Sequence, residues 1–114
     1  NTDDHARNHA AFWDGECLEL TPAYDICPQP RTGNEASQAM QIHGTNNMSQ
    51  IEVCLKAAPA FLLTRNQAWD IASGQVEMIR ANWDGVCGEA GLSEIDMKAL
   101  QNRQFLNPYS IIGL

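Results

Sequence analysis

The stretch NTDDHARNHAAFWDGECLELTPAYD, residues 1–25, decides how the rest of the chain is interpreted. Its first nine residues are rich in Asp and Asn, which favour turns over helix interiors and therefore predict a loop. Two short runs, Ala10–Trp13 and Glu16–Leu20, then flank the dipeptide Asp14-Gly15. That dipeptide suits a type I′ turn, in which both central residues need positive φ. We therefore expect a loop and then a β-hairpin that returns the end of the stretch to its start.

The order of carboxylate and amide side chains in this stretch indicates phosphoryl transfer. Asn8 follows Asp3 by the same offset as in the H-R-D-x-x-x-x-N loop of protein kinases, where the Asp accepts a proton and the Asn binds magnesium. A later Asp beyond a hairpin, here Asp25, is the remaining magnesium ligand of such sites. The sequence therefore predicts that Asp3 acts on the attacking hydroxyl and that Asn8 and Asp25 hold Mg²⁺ on the phosphates of ATP.

Two departures from the protein-kinase pattern point to one family. His5 lies two residues after Asp3 instead of two before it, and Tyr24-Asp25-Ile26 stands where ordinary protein kinases have Asp-Phe-Gly. The family in question has a catalytic loop of the form T-D-x-H-x-[KR]-N, followed by a hairpin and L-x-P-x-Y-D. The runs Thr2–Asn8, TDDHARN, and Leu20–Asp25, LTPAYD, thus resemble the HipA family of bacterial toxin serine/threonine kinases.

The resemblance extends to Gln38–Met40 and to Phe105–Tyr109, FLNPY, which are similar to the C-terminal region of HipA-like proteins. It covers most of this chain but only the last part of a typical family member. The implied fold class is mainly α, the C-terminal lobe part of a protein-kinase-like (HipA) fold. Within it we expect a catalytic loop, hairpin and metal-binding Asp (residues 1–27), an irregular connection (28–48) and a bundle of about three helices (49–114).

The same resemblance implies roles for four side chains. Asp3 is the general base or hydroxyl-positioning group, and Asn8 and Asp25 coordinate the Mg²⁺ that bridges the ATP phosphates. His5 occupies the place, two after the Asp, where protein kinases commonly have a Lys directed at the γ-phosphate. It either stabilises the transferring charge or orients Asp3, and a purely structural hydrogen bond to the loop stays open as an alternative.

The implied protein is a toxin kinase that phosphorylates a protein hydroxyl in the cytoplasm and is restrained by a HipB-like DNA-binding antitoxin. A kinase also needs a lobe with a phosphate-covering loop and a strand-borne Lys. Neither G-x-G-x-x-G nor G-x-x-x-x-G-K-[ST] occurs in this sequence, which opens with Asn1 rather than Met. We therefore expect a truncated or proteolysed piece that is inactive without its N-terminal lobe.

Composition excludes several other classes of function. The formal net charge of −7 argues against direct nucleic-acid binding, which requires Lys and Arg to displace counterions from phosphates. No run approaches the length of a membrane span, and no signal peptide is recognisable. The four cysteines form no C-x-x-C motif, so we expect buried free thiols and no zinc. The four-residue spacing of His5 and His9 would suggest a metal pair only on a helix, which their polar surroundings disfavour.

Residues 28–48 are punctuated by Pro and Gly and are predicted to be irregular. Within them, Ala36–Ile42 fits a short extended piece better than a helical turn. Arg31 follows the predicted magnesium ligand closely enough to meet a phosphate, but a solvated loop arginine is the favoured interpretation.

Helix start signals are frequent after this segment. Each is a Ser or Thr followed three residues later by an acidic or amide side chain, at Ser49/Glu52, Thr64/Gln67 and Ser93/Asp96. Pro59 should end or kink the first helix, and Gly91 suits the C-terminus of the second. The third helix is predicted to run to about Asn102.

The second helix carries apolar side chains at alternating spacings of three and four, which predicts one buried stripe: Trp69, Ala72, Val76, Ile79, Trp83 and Val86. Pro108 excludes a regular helix across the apolar tail, Phe105–Leu114. If a preceding lobe is missing, apolar surface is left exposed and self-association is expected.

Two rival interpretations remain at this stage. Phosphoinositide-type lipid kinases also use D-x-H-x-x-N, so that string alone does not separate protein from lipid substrates. The second rival is a non-catalytic helical interaction domain, in which Asp3, Asn8 and Asp25 serve only to form turns.

Overall fold

The computed structural model describes residues 1–29 and 32–114. Its regular elements are a two-stranded hairpin, β1 (Ala11–Trp13) and β2 (Leu18–Leu20), and the helices α1 (Ile51–Ala57), α2 (Arg65–Glu89) and α3 (Glu94–Leu100). Short 3₁₀ turns occur at Ala6–Asn8 and Ala58–Phe61. Three helices after a loop and an antiparallel hairpin agree with a mainly α fold. Arg31 lies outside the described residues, so its interpretation stays a prediction.

The hairpin forms where predicted, but its turn is of another kind. The strands pair antiparallel, with Ala11 opposite Leu20 and Trp13 opposite Leu18, which leaves a four-residue loop between them. Gly15 has φ +107°, whereas Asp14 does not have positive φ, so the type I′ prediction is wrong. The physical reason is the Asp14 side chain. Its Oδ1 atom accepts hydrogen bonds from the backbone N–H groups of Glu16 and Cys17, at 2.8 and 2.7 Å. These bonds lower the pKa of Asp14.

The irregular connection is tied together by a short antiparallel contact. Ser37 forms an isolated bridge with Met48, and Ser49 N donates to Ala36 O at 2.9 Å. No helical turn forms over residues 36–42, in line with the extended interpretation, although only Ser37 is paired as in a strand.

Helix α1 begins one residue later than predicted and is capped differently. Gln50 is its N-cap residue and its side chain makes no cap hydrogen bond, so the capping box assigned to Ser49 is wrong. The first backbone donors of the helix are satisfied from the C-terminal tail, since Ile51 N donates to Ser110 O and Glu52 N to Ile112 O, at 2.9 and 2.8 Å. At the other end, α1 stops before Pro59 as predicted.

The termini of α2 and the start of α3 confirm the sequence signals. Thr64 and Gln67 form a reciprocal capping box at the N-terminus of α2. Gly91 has φ +70°, and its N–H and that of Leu92 bond to the last turn of α2 in a Schellman arrangement. Ser93 caps α3 by accepting from the N–H of Asp96, and that helix ends two residues earlier than predicted.

The core is small and lies where α1 and the following 3₁₀ turn pack against α2. Its buried apolar members are Val53, Leu55, Ala57, Ala58, Val76 and Cys87. All four cysteines are free, as predicted, but only Cys87 is buried, which corrects the expectation for the other three.

The predicted buried stripe of α2 is mostly exposed. Val76 is buried, whereas Trp69, Ile79 and Val86 are 43%, 41% and 60% exposed. Periodicity creates an apolar face, but burial needs a second surface, and α1 covers only part of the 25-residue helix. Trp83 is partly covered by Phe105 from the tail, with ring centroids 5.1 Å apart.

The tail forms consecutive turns rather than a helix, as Pro108 predicted. Asn107 is buried and organises these turns, because its side chain donates to Arg103 O at 3.2 Å and accepts from Tyr109 N at 2.9 Å. In the described part of the chain, no helix is both long and apolar enough to cross a membrane.

Candidate active site

The first eight residues fold into a loop that ends in one tight turn. Asn8 N donates to His5 O at 2.9 Å, and Asn8 Oδ1 accepts from His5 N at 3.1 Å. The turn is only three residues long, so His5 and His9 do not lie on one face of a helix as a metal pair would require. Its effect is to fix the side chain of Asn8 at the end of the loop.

The hairpin returns the chain so that Asn8 and Asp25 meet. Asn8 Nδ2 donates to Asp25 Oδ2 at 2.7 Å, across a separation of 17 residues. Asn1 Nδ2 donates to the backbone oxygen of Asp25, also at 2.7 Å. Asp25 has φ +55°, a left-handed conformation that Asp tolerates better than most residues and that is enriched at functional sites. The two residues predicted to share a cation are therefore in direct contact.

Tyr24 supplies a second tie between the same segments. Its hydroxyl donates to the backbone oxygen of Arg7 at 2.6 Å. The sequence offered this residue only as one letter of the L-x-P-x-Y-D pattern. The contact gives that Tyr a physical purpose, since it anchors the segment carrying Asp25 next to the residue before Asn8.

Asp3 and His5 lie apart from the contact between Asn8 and Asp25. Asp3 is exposed, and its backbone N–H donates to Asn1 Oδ1 at 2.8 Å. His5 is half-buried, and its Nδ1 atom has no hydrogen-bond partner in the described part of the chain. Neither residue lines the cleft that contains Asn8 and Asp25. The structure thus brings together two of the four predicted site residues.

Asp4 and His9 are site residues that sequence reasoning missed. Asp4 is half-buried, and its Oδ1 atom lies 2.7 Å from His9 Nε2. Both line the cleft, a space of about 400 Å³ that is also bordered by Asn8, Asp25 and Gln38. Their spacing of five residues matches no recognised motif, so no signal in the sequence pointed to them.

The side chains of this cleft include the types of ligand that suit a magnesium ion. The Asp25 carboxylate and the Asn8 amide both carry hard oxygen atoms, and the two side chains are in contact on the wall of an open cleft. The Asn8 amide presents its nitrogen to Asp25, so sharing a cation requires that amide to turn. Over residues 1–29 and 32–114, no three His, Cys, Asp or Glu side chains are grouped as metal ligands.

A comparison with protein families matches residues 1–83 to the HipA-like C-terminal domain. The chain belongs to this family. The HipA-like match contains the loop, the hairpin, the irregular connection, α1 and α2 as far as Trp83. Helix α3 and the tail, including the Phe105–Tyr109 stretch, lie beyond the matched HipA-like residues. Searches of curated proteins and of solved structures gave no match.

Proposed function

We propose that this HipA-family chain is the C-terminal lobe part of a protein serine/threonine kinase that transfers the γ-phosphate of ATP to a protein hydroxyl. The observation that supports the proposal most strongly is the 2.7 Å contact between Asn8 and Asp25. A turn-forming role alone would not require the hairpin to bring these two side chains together. Membership of the HipA family, which is known for kinase activity, adds support.

In this proposal each site residue has one task. Asn8 and Asp25 hold Mg²⁺, which neutralises charge on the ATP phosphates when it is bound. Asp3 accepts or orients the proton of the substrate hydroxyl. The described part of the chain offers no hydrogen-bond partner to the buried Nδ1 atom of His5, so this ring would stabilise the transferring charge or orient Asp3.

The proposed kinase requires more than these 114 residues. The nucleotide lobe with its phosphate-covering loop precedes this part and completes the ATP site. Packing of that lobe also covers the exposed apolar side chains of α2, whereas the 114-residue chain alone is inactive and self-associates through them. We further propose that the complete protein is a cytoplasmic toxin restrained by a HipB-like DNA-binding antitoxin.

The test uses the protein encoded with its native upstream residues. Wild type, Asp3→Ala, Asn8→Ala and Asp25→Ala are assayed for transfer from labelled ATP to a protein acceptor, with Asp70→Ala on the exposed surface of α2 as the matched control. We expect losses of about 10²–10⁴-fold for the three site variants, the usual contribution of a general base or of charge stabilisation, and none for the control.

Two outcomes would refute the proposal. Equal turnover in wild type and all three site variants would leave a non-catalytic interaction domain as the better description. Transfer to phosphoinositide vesicles but to no protein would instead identify the lipid-kinase alternative. Separately, ATP turnover by the purified 114-residue chain would contradict its expected inactivity.

A further inference from the structure

We propose that Gln38 is a positioning residue for the candidate active site, acting through Asn1 on both Asp3 and Asp25. The inference rests on the proposed function, because it concerns the geometry of that site. Gln38 lies in the irregular connection, outside the loop and hairpin that supply the proposed ligands. It is half-buried and borders the same cleft.

The side-chain amide of Gln38 joins the polar half of the molecule, residues 1–48, to the helical half, residues 49–114. Its Nε2 group donates to the backbone oxygen of Asn1 and to Ser49 Oγ, at 3.1 Å each. Ser49 is buried at the start of the helical half, just before α1. One amide nitrogen therefore fixes the beginning of the loop to the best-packed part of the fold.

Asn1 passes this constraint to both sides of the site. Its Oδ1 accepts the N–H of Asp3 at 2.8 Å, and its Nδ2 donates to the backbone oxygen of Asp25 at 2.7 Å. The proposed base and the proposed metal ligand are thus held by opposite ends of one amide. Because Gln38 binds the backbone oxygen of Asn1, it controls the positions of Asp3 and Asp25.

The backbone next to Gln38 holds the rest of the loop. Ala39 N donates to Thr2 O and Met40 N donates to Asp4 O, at 3.1 Å each, so the residues on either side of Asp3 are both tied to this segment. We call residues 38–40 the strap, because each of these residues donates a hydrogen bond to a backbone oxygen of residues 1–4.

The side chain of Gln38 can be removed without losing the strap itself. Gln38 N donates to Asn47 O and Asn47 Nδ2 donates to Gln38 O, at 2.7 Å each, and both bonds use only the backbone of Gln38. A substitution at this position therefore tests positioning of the loop rather than formation of the connection.

The experiment compares Gln38→Met, which keeps the side-chain length but has no donor, with Gln41→Met, the same change at an exposed position of the same segment. Each variant is made in the protein encoded with its native upstream residues and titrated with Mg²⁺ alone while the NMR signals of Asn8 and Asp25 are followed. Amide exchange of Asp3, Ala39 and Met40 is measured in parallel, and helical circular dichroism reports the fold. Gln38→Glu, of the same size but without N–H donors, is the second variant.

We expect the Mg²⁺ dissociation constant to rise about fivefold or more in both Gln38 variants, with faster exchange at Asp3, unchanged helicity and no effect of Gln41→Met. Unchanged affinity together with unchanged Asp3 exchange would overturn the inference while leaving the proposed function intact. If wild type shows no Mg²⁺ response, the proposed function fails, and exchange at Asp3 alone decides the positioning role. Loss of helicity in both Gln38 variants would make Gln38 a folding residue and overturn the inference.

Discussion

The polar half of the molecule, residues 1–48, and the helical half, 49–114, are stabilised by different forces. Every buried apolar side chain of the described residues belongs to the helical half. The polar half has no buried residue in its described part, and every residue of both hairpin strands is exposed. It is held by hydrogen bonds between loops, several of them from Asn and Gln side chains.

This difference teaches where the molecule is stable and where it is adjustable. Hydrophobic burial supports the helical half, while the candidate site depends on hydrogen bonds that are individually modest and partly open to water. Regions of few apolar contacts open locally at lower free energy than the core. We therefore expect the proposed ligands to lie in the part of the chain that opens at lower free energy, where bonds to residues 49–114 add to the local hydrogen bonds.

The largest effect is expected from Leu55→Ala, which removes a side chain of the helical core that is only 2% exposed. The loss of burial and the resulting cavity should lower the free energy of unfolding by about 2–5 kcal/mol. Leu62→Ala is the matched control, because Leu62 is 95% exposed. Denaturant unfolding followed by circular dichroism measures both, and equal effects of the two variants would contradict the assignment of Leu55 to the core.

Two Gly→Ala substitutions in the helical half should have opposite signs. At Gly113, φ is +109° and a Cβ would lie 2.8 Å from Glu52 N, so Gly113→Ala should destabilise the protein by about 1–3 kcal/mol through strain and loss of the tail contact. Gly74 is helical with nothing within 4 Å of a Cβ, so Gly74→Ala should stabilise it by about 0.5–1 kcal/mol. Thermal unfolding distinguishes them, and stabilisation by Gly113→Ala would contradict the close approach of the tail to Glu52.

In the polar half, Asp14→Ala should act locally. It removes the acceptor of two backbone bonds in the hairpin loop, so the NMR signals of β1 and β2 should shift towards random-coil values. The free energy of unfolding of the helical half should change by less than about 0.5 kcal/mol, as for surface sites generally. Glu19→Ala, exposed on β2, is the control. A large global destabilisation by Asp14→Ala would show that the halves unfold as one unit.

The smallest effect concerns acid stability. The hydrogen bond from Arg65 is the main cause that lowers the pKa of Glu52 below its ordinary 4.5. A lowered folded-state pKa means that the pair stabilises the fold above the ordinary pKa and loses this contribution as pH falls through the folded value. The difference in melting temperature between wild type and Glu52→Gln should therefore be present near neutral pH and vanish in acid.

The sequence predicted those features whose causes are local. The capping box of Thr64 and the left-handed Gly91 were found because a few neighbouring residues determine them. The contact of Asn8 with Asp25 was foreseen because a tight hairpin joins the segments that carry them. The cap assigned to Ser49 failed because the actual acceptors come from the distant tail.

Other features of the site depend on contacts that no short pattern encodes. The bonds of Gln38 to Asn1 and Ser49 join three separate segments, and the sequence indicated Gln38 only through its resemblance to the family. The pairing of Asp4 with His9 was missed for the same reason. Periodicity likewise defined the apolar face of α2 but not whether another surface covers it.

The capping of α1 by tail carbonyls sets an order of events during translation. The oxygen atoms of Ser110 and Ile112 are synthesised about 60 residues after the N–H groups they accept from, so the first turn of α1 leaves the ribosome without acceptors. Ser49, which binds the side chain of Gln38, lies two residues before that turn. We therefore expect the first turn of α1 and the segment next to it to become fully ordered only after residues 110–112 have been made.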